Sequence, residues 1–238
     1  MARKSRRLDS DMTQGSIWRQ LIEFSLPMMI GLIFQQLYNT VDTIVVGQFV
    51  GKEALAAVGG SSSQILNLLI GFFTGVTSGA AVIVAQYYGA RDAEDSSRSV
   101  HTAMILAIAC GAIMTVVGIL TAPALLRIME TPEDTMADSI VYMRWVYMAM
   151  IPGMVYNMGS AILRAVGDSK HPLYFLIACC LINVVLDLLF VVTFKMGVAG
   201  AAIATALSQL LSAVMICWFL ARPKTEESVR LELSKLRT

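Results

Sequence analysis

Residues 173–194 read LYFLIACCLINVVLDLLFVVTF, an apolar run with a single charged side chain, Asp187. A membrane-spanning α-helix needs about 20 consecutive apolar residues, so this run predicts a helix that crosses a lipid bilayer. Asn183 precedes Asp187 by four residues, which places both side chains on one face of that helix. A charge inside a bilayer costs roughly 2.5–3.5 kcal/mol on insertion scales, and for that reason Asp187 indicates a functional site.

The composition of the whole chain agrees with a membrane protein. Of the 238 residues, 56% are hydrophobic and 15% are charged, and the mean hydropathy is +0.67. A soluble domain usually has about 25% charged residues. The apolar runs are long and continuous, whereas a membrane β-barrel has alternating segments of about 10 residues. We therefore predict an all-α membrane protein.

Other classes of protein are not supported by the composition. The net charge of +1 gives no basic surplus, so we expect no nucleic-acid partner. The four cysteines lie within apolar runs and lack the spacing of a zinc site. We expect no cofactor, and no metal ion other than sodium as a coupling ion.

Six apolar spans divide the chain into three parts. The spans cover residues 17–49, 55–88, 99–126, 136–163, 173–194 and 198–220. They predict a six-helix transmembrane lobe at residues 17–221, a polar cytoplasmic tail at 1–16, and a cytoplasmic linker or tail at 222–238. Pro152 and Gly153 predict a bend in the fourth span. Gly71, Gly75 and Gly79 in the second span predict close packing against another helix.

The distribution of basic residues predicts the orientation in the membrane. With both ends of the chain in the cytoplasm, 14 of the 18 Lys and Arg residues lie on the inner side. Basic residues are enriched on the cytoplasmic side of membrane proteins. We therefore expect a multi-pass protein of the plasma (cytoplasmic, or cell inner) membrane with both termini in the cytoplasm. The four outer basic residues are Lys52, Arg127, Arg144 and Lys195.

The topology predicts that polar residues from three spans meet at one depth. Asp42 comes eight residues before the turn at position 50, Asp187 comes eight before Lys195, and Thr205 comes ten after it. At about 1.5 Å per residue, all three lie roughly 12–15 Å below the outer surface, and Asn183 lies one turn deeper. Such a site can exchange a proton, because burial disfavours a charged carboxylate, or hold a sodium ion. The alternative is a hydrogen-bond network that only holds the helices together.

Four stretches of the sequence resemble one transporter family. The resemblance to the MATE (multidrug and toxic compound extrusion) family covers nearly the whole chain in order. The stretches are Pro27 with QQLYNTVD at 35–42 and Val46-Gly47, LRAVGDSKHP at 163–172, Asn183-x3-Asp187, and GVAGAAIAT at 197–205.

The resemblance implies a fold and an activity. MATE proteins have two six-helix lobes around a central cleft, so this chain corresponds to one lobe of a twelve-helix transporter. They are secondary antiporters that export organic, often cationic, drugs or toxic metabolites in exchange for protons or sodium ions. The expected second lobe is either a missing C-terminal half or a dimer partner.

The resemblance also implies roles for individual residues. Bending of the first helix at Pro27 is implied as the step that couples ion binding to transport. The cation site is implied for Asp42, Asn183, Asp187 and Thr205, and the substrate cavity for Gln35, Tyr38 and Asn157.

Three alternatives remain open from the sequence. A lipid-linked oligosaccharide flippase has a similar architecture but favours a basic cavity, whereas the ionisable residues here are acidic. An intramembrane aspartyl protease needs Gly-x-Gly-Asp, and the nearest stretch, residues 165–168 (AVGD), lacks the first glycine. A non-transporting structural membrane protein is the third alternative. We therefore predict a transporter and not an enzyme.

Overall fold

The computed structural model describes residues 17–222 and 229–231, which contain helices and no strand. The predicted tail at 1–16 and most of the segment 222–238 lie outside the described residues. The elements are α1 (Ile17–Phe49), α2 (Lys52–Gly59), α3 (Ser61–Gly89), α4 (Ala93–Ile128), α5 (Glu133–Met148), α6 (Met150–Ala165), α7 (Lys170–Asp187), a π-helical segment (Leu188–Thr193) and α8 (Gly197–Ala221).

These elements form six membrane spans. Five are long and apolar enough to cross a membrane, with α2 and α3 counted together, and the bent pair α5–α6 makes a sixth. The predicted all-α bundle of six transmembrane helices is confirmed for the described residues.

The second span is interrupted, although the sequence predicted one continuous helix. α2 ends at Gly59, and α3 begins at Ser61. The N–H of Gly60 donates to the Ala56 carbonyl oxygen, and a Cβ at position 60 would lie 2.5 Å from that oxygen. A side chain does not fit there, so glycine permits the break.

The fourth span bends by 46° between α5 and α6. The bend was predicted at Pro152 and Gly153, and the helix break lies three residues earlier, at Ala149. A proline ring collides with the carbonyl group four residues before it, here that of Met148. Pro152 is tolerated in the first turn of α6, where its missing N–H needs no partner.

The fifth span ends in a π-helical segment that the sequence pattern did not predict. The regular helix α7 stops at Asp187, and residues Leu188–Thr193 continue with wider turns. Lys195 and Gly197 have positive φ angles of 53° and 60° and reverse the chain. A Cβ on Gly200 would lie 3.1 Å from the carbonyl carbon of Phe190, so glycine lets α8 pack closely beside this segment.

Packing places α8 near the centre of the lobe and α1 at its edge. α8 contacts α5, α6 and α7, whereas α1 packs mainly on α7 and leaves many side chains exposed. The glycine stripe of α3 does not pack as predicted. Among the described residues, no heavy atom of a neighbouring element lies within 4 Å of a Cβ built on Gly71, Gly75 or Gly79. This face of α3 is free of the lobe's own helices.

Candidate functional site

The structure brings both predicted carboxylates into one buried cluster between α1, α7 and α8. Asp42 has 8% of its surface exposed, and Asn183 and Asp187 are completely buried. The Asp42 and Asp187 carboxyl groups are close enough to interact electrostatically. Asn183 lies one turn below Asp187 on the same helix, as the spacing predicted.

Thr205 joins this cluster through Tyr38. The Tyr38 hydroxyl donates a hydrogen bond of 3.2 Å to Thr205 Oγ1, which connects α1 with α8. The Tyr38 phenol also interacts electrostatically with Asp42 and Asp187. The resemblance implied a cavity role for Tyr38, and the geometry makes it a neighbour of the carboxylate pair.

Tyr142 of α5 belongs to the same cluster, and sequence reasoning missed it. Its side chain is 8% exposed and interacts electrostatically with Asp42 and Asp187. The sequence did contain a signal that could have identified Tyr142. Tyr142 comes ten residues after Pro132, which precedes α5, so the depth estimate that selected Thr205 also applies to Tyr142.

Several polar atoms in the cluster lack hydrogen-bond partners among the described residues. They are one oxygen of Asp42, both oxygens of Asp187, and both side-chain polar atoms of Asn183. Buried polar groups without partners are rare and costly, so they indicate a ligand, an ion or water. Two neighbouring carboxylates that are shielded from water repel each other. A proton or a cation between them removes this repulsion and stabilises the pair.

The side-chain oxygens of the cluster are suitable ligands for a small cation. Carboxylate, amide and hydroxyl oxygens are the ligands that hard cations prefer. Asp42, Asp187, Asn183 and Thr205 supply such oxygens from three helices. The π-helical segment begins directly after Asp187, and π-helical turns occur frequently at functional sites.

The other predicted site residues are not buried with the carboxylates. Gln35 and Asn157 are exposed on α1 and α6. Pro27 lies inside α1, which continues as one helix from Ile17 to Phe49.

Asp168, the aspartate of the protease-like stretch, has a structural role. Its Oδ1 accepts hydrogen bonds from the backbone N–H groups of Lys170 and His171, and its Oδ2 lies 2.5 Å from His171 Nδ1. It therefore caps the first turn of α7. Asp187 ends the same 18-residue helix, so the two carboxylates lie at opposite ends of α7.

Comparison with known proteins agrees with this fold. The MatE family model matches residues 27–189, which is more than half of the chain. The chain belongs to the MATE family. A MATE crystal structure in the bent conformation superposes with a TM-score of 0.87 at 28% identity, covering 98% of this chain and 51% of that chain.

Two curated relatives of this MATE chain are bacterial. The probable multidrug resistance protein YpnP of Bacillus subtilis is 33% identical over 84% of this chain and 44% of its own length. The multidrug export protein MepA of Staphylococcus aureus is 22% identical over 93% of this chain and 49% of its own length. The chain thus spans about half the length of the relatives it matches.

The family membership and the apolar helices make the chain a multi-pass membrane protein. Its relatives are described as transport and resistance proteins, in agreement with the prediction that it is not an enzyme.

Proposed function

We propose that this chain is the ion-binding lobe of an antiporter that exports organic, often cationic, compounds in exchange for protons or sodium ions. The observation that carries the proposal is the buried pair Asp42 and Asp187, whose oxygens lack partners among the described residues. Two interacting carboxylates inside a membrane lobe need a proton or a cation, and binding that ion gives the lobe two states.

The proposal includes a second six-helix lobe. Alternating access requires two bodies that move relative to each other, with the substrate between them. The relatives are about twice as long as this chain, which supports a second lobe. The distribution of basic residues supports an orientation with both termini in the cytoplasm, and the resemblance supports a coupling step at Pro27; both are part of the proposal.

The acidic character of the site favours antiport over the flippase alternative. The charged side chains of the cluster are the carboxylates Asp42 and Asp187, and no Lys or Arg belongs to the described cluster. A flippase for anionic lipid-linked sugars favours a basic cavity. A purely structural network would leave fewer polar atoms without partners.

The test uses a chimera that supplies a second lobe. Residues 1–238 replace the matching half of YpnP, and export of a fluorescent organic cation is measured in everted membrane vesicles. Proton and sodium gradients are imposed separately, which identifies the coupling ion. Asp42→Asn and Asp187→Asn remove a negative charge without changing the size of the side chain, so we expect each to abolish gradient-driven export.

The matched control is Asp138→Asn, which changes an exposed carboxylate of α5. We expect it to transport like the unmodified chimera. Gradient-driven export at the unmodified rate in both Asp42→Asn and Asp187→Asn would show that these carboxylates do not couple the ion.

A further inference from the structure

A cavity of about 370 Å³ lies between α3 and α4, close to the turn that joins these two helices. Its lining includes Tyr87, Ile83 and Leu106, which are 38%, 49% and 42% exposed, so the cavity opens on the outer surface of the lobe. Ligand pockets usually measure about 300–1,000 Å³. The cavity is therefore large enough to hold part of a small amphipathic molecule, and it is separate from the carboxylate cluster on α1, α5, α7 and α8.

The cavity is polar near the turn and apolar at its other end. The α4 residues that line it at intervals of three and four are, in order, Asp95, Arg98, Thr102 and Leu106. Residues with this spacing share one face of a helix. Asp95 and Leu106 are eleven residues apart, so the polarity changes from charged to apolar over about 16 Å.

The polar end lies at the expected boundary between the lipid headgroups and the hydrocarbon layer. No Asp, Glu, Lys or Arg occurs between residues 99 and 126 or within α3, so Arg98 is the last charged residue before the apolar part of α4. Tyr87 lines the cavity two residues before the end of α3, and tyrosine is enriched at membrane–water interfaces. A cavity that extends from headgroup level into hydrocarbon is suited to a lipid.

The charged side chains at the polar end form one cation between two anions. Arg98 Nη2 lies 2.8 Å from Glu94 Oε1, and Arg98 Nη1 lies 3.4 Å from Asp95 Oδ1. Arg98 and Glu94 are both exposed, so a headgroup can reach them. A guanidinium has five N–H donors, and those not directed at the two carboxylates can bind a phosphate.

This arrangement is complementary in charge to a headgroup that carries a phosphate and a primary ammonium group. The phosphate is attracted by Arg98, and the ammonium group can donate hydrogen bonds to Glu94 and Asp95. A headgroup with a net negative charge is repelled by the two carboxylates, which outnumber the arginine. A quaternary ammonium group has no N–H donor. Phosphatidylethanolamine is a phospholipid that meets both requirements.

The uncovered glycine stripe of α3 continues the cavity into the hydrocarbon layer. Gly71, Gly75 and Gly79 are followed at the same spacing of four residues by Ile83 and Tyr87, which line the cavity. A Cβ on any of the three glycines meets no described neighbour within 4 Å. From Ile83 to Gly71 the stripe covers about 18 Å, close to half of the roughly 30 Å hydrocarbon thickness. A smooth surface of this length is suited to one acyl chain.

Helix stability does not account for these features together. Exposed ion pairs three or four residues apart occur on many helices and require no ligand. They do not explain why a cavity lies beside Arg98 or why a smooth stripe leads away from it. A glycine stripe can also pack against another helix, and here the second lobe is the alternative occupant.

We propose that this cavity binds one molecule of phosphatidylethanolamine, with its phosphate at Arg98, its ammonium group at Glu94 and Asp95, and one acyl chain along the glycine stripe of α3. The site shares no residue with the carboxylate cluster, so the proposal is independent of antiport.

The experiment measures lipid binding to the 238-residue chain by native mass spectrometry. The delipidated chain in detergent is titrated with the dioleoyl forms of phosphatidylethanolamine, phosphatidylcholine and phosphatidylglycerol, which differ only in the headgroup. We expect phosphatidylethanolamine to bind about tenfold more tightly than the other two, because both of its charged groups form hydrogen bonds with charged partners. Arg98→Gln removes the partner of the phosphate, and we expect it to weaken phosphatidylethanolamine binding about tenfold.

The carboxylate variant changes the preference between lipids. Glu94→Gln with Asp95→Asn leaves Arg98 as an unopposed cation, so we expect phosphatidylglycerol to bind more tightly than phosphatidylethanolamine. General loss of structure lowers the affinity for both lipids, whereas this variant reverses their order.

The chain offers matched controls for both charge variants. Arg127→Gln makes the same change at the other end of α4, and Glu133→Gln with Asp134→Asn makes it at an acidic pair in the first turn of α5. All three residues are exposed. We expect both controls to bind the three lipids as the unmodified chain does.

A further variant tests the acyl chain. Gly79→Leu places a side chain on the stripe, at a position where the described helices leave room for it. We expect the affinity for phosphatidylethanolamine to fall about fivefold, because the acyl chain loses close contact with α3. Ala124→Leu enlarges an exposed residue near the other end of α4 and is expected to have no effect.

Three results overturn the inference. Equal affinities of the unmodified chain for the three lipids mean that no selective site exists. An unchanged order of the lipids in the carboxylate variant means that these charges do not recognise the headgroup. In the chimera with the second half of YpnP, loss of the preference for phosphatidylethanolamine means that the second lobe covers this face.

A second measurement requires no substitution. Phosphatidylethanolamine with a photoactivatable group in one acyl chain is cross-linked to the unmodified chain in nanodiscs, and the modified peptides are identified. We expect cross-links to be concentrated at residues 71–83 of α3. Cross-links at least as frequent at residues 113–120 of α4, which also expose apolar side chains, contradict a site on α3.

Discussion

At the scale of single residues, Tyr142 and Tyr147 show how differently two buried phenols of one helix are used. The Tyr142 phenol interacts with Asp42 and Asp187, whereas the Tyr147 hydroxyl has no partner among the described residues. The two residues lie five positions apart on α5. Only the Tyr142 side chain is directed toward the carboxylates, so only its hydroxyl can take part in binding an ion.

We predict that Tyr142→Phe weakens ion binding by about tenfold, because a hydrogen bond to a charged group contributes about 1.5–3 kcal/mol. The measurement is the pH or sodium concentration that gives half of the ion-dependent increase in thermal stability of the chain in detergent. Tyr147→Phe removes a hydroxyl without a described partner and serves as the control, with binding unchanged. Equal effects of the two substitutions would contradict the role of Tyr142.

At the scale of helices, some glycines allow close packing against a neighbouring element, and others lie on a surface that the described helices leave uncovered. A Cβ on Gly118 of α4 would lie 2.2 Å from the Tyr147 ring, which is almost completely buried. The same atom on Gly75 of α3 would meet none of the described neighbours within 4 Å. The sequence predicted close packing for the stripe that includes Gly75, but the tight contact occurs at Gly118, because only the tertiary arrangement brings Tyr147 to that position.

We predict that Gly118→Ala lowers the free energy of unfolding by about 1–3 kcal/mol, since the added methyl group has to displace a buried ring. Gly75→Ala is the control and raises it by up to about 1 kcal/mol, because alanine favours a helix over glycine. Thermal unfolding of the chain in detergent, followed by circular dichroism, gives both values. A destabilisation by Gly75→Ala as large as that by Gly118→Ala would mean that the stripe packs within the lobe.

At the scale of the whole molecule, α1 exposes amide side chains that lipid does not solvate. Gln35, Gln36 and Asn39 are all exposed on this helix. Amide groups in contact with hydrocarbon are costly, so we interpret this face of α1 as the wall of a water-filled cleft. The cleft lies where the proposed second lobe would face this one.

We predict that a cysteine at position 39 reacts with a water-soluble maleimide, whereas one at position 120 does not. Leu120 of α4 is 74% exposed on a helix long and apolar enough to cross a membrane, so we expect it to face lipid. Asn39→Cys and Leu120→Cys are introduced into a chain in which the four native cysteines are replaced by alanine, and labelling is measured in membranes. Equal labelling at both positions would contradict a water-filled cleft beside α1.

The sequence alone predicted the six apolar spans, the α-helical class and a common depth for the carboxylates. Each depends on local quantities, namely the length of an apolar run, the rise per residue and the distance to the next turn. Asp42, Asp187 and Thr205 could be brought to one level in this way. The spacing of four residues added Asn183, one turn deeper, whereas the resemblance assigned Tyr38 to the substrate cavity and the structure placed it beside the carboxylates.

Only the tertiary structure decided which of the side chains at that level are directed toward one another. It directed Tyr142 into the carboxylate pair, left Gln35 and Asn157 exposed, and freed the glycine stripe of α3 from its own lobe. It also placed the π-helical segment after Asp187. The physical reason is that depth is set along one helix, whereas orientation depends on contacts between helices far apart in the sequence.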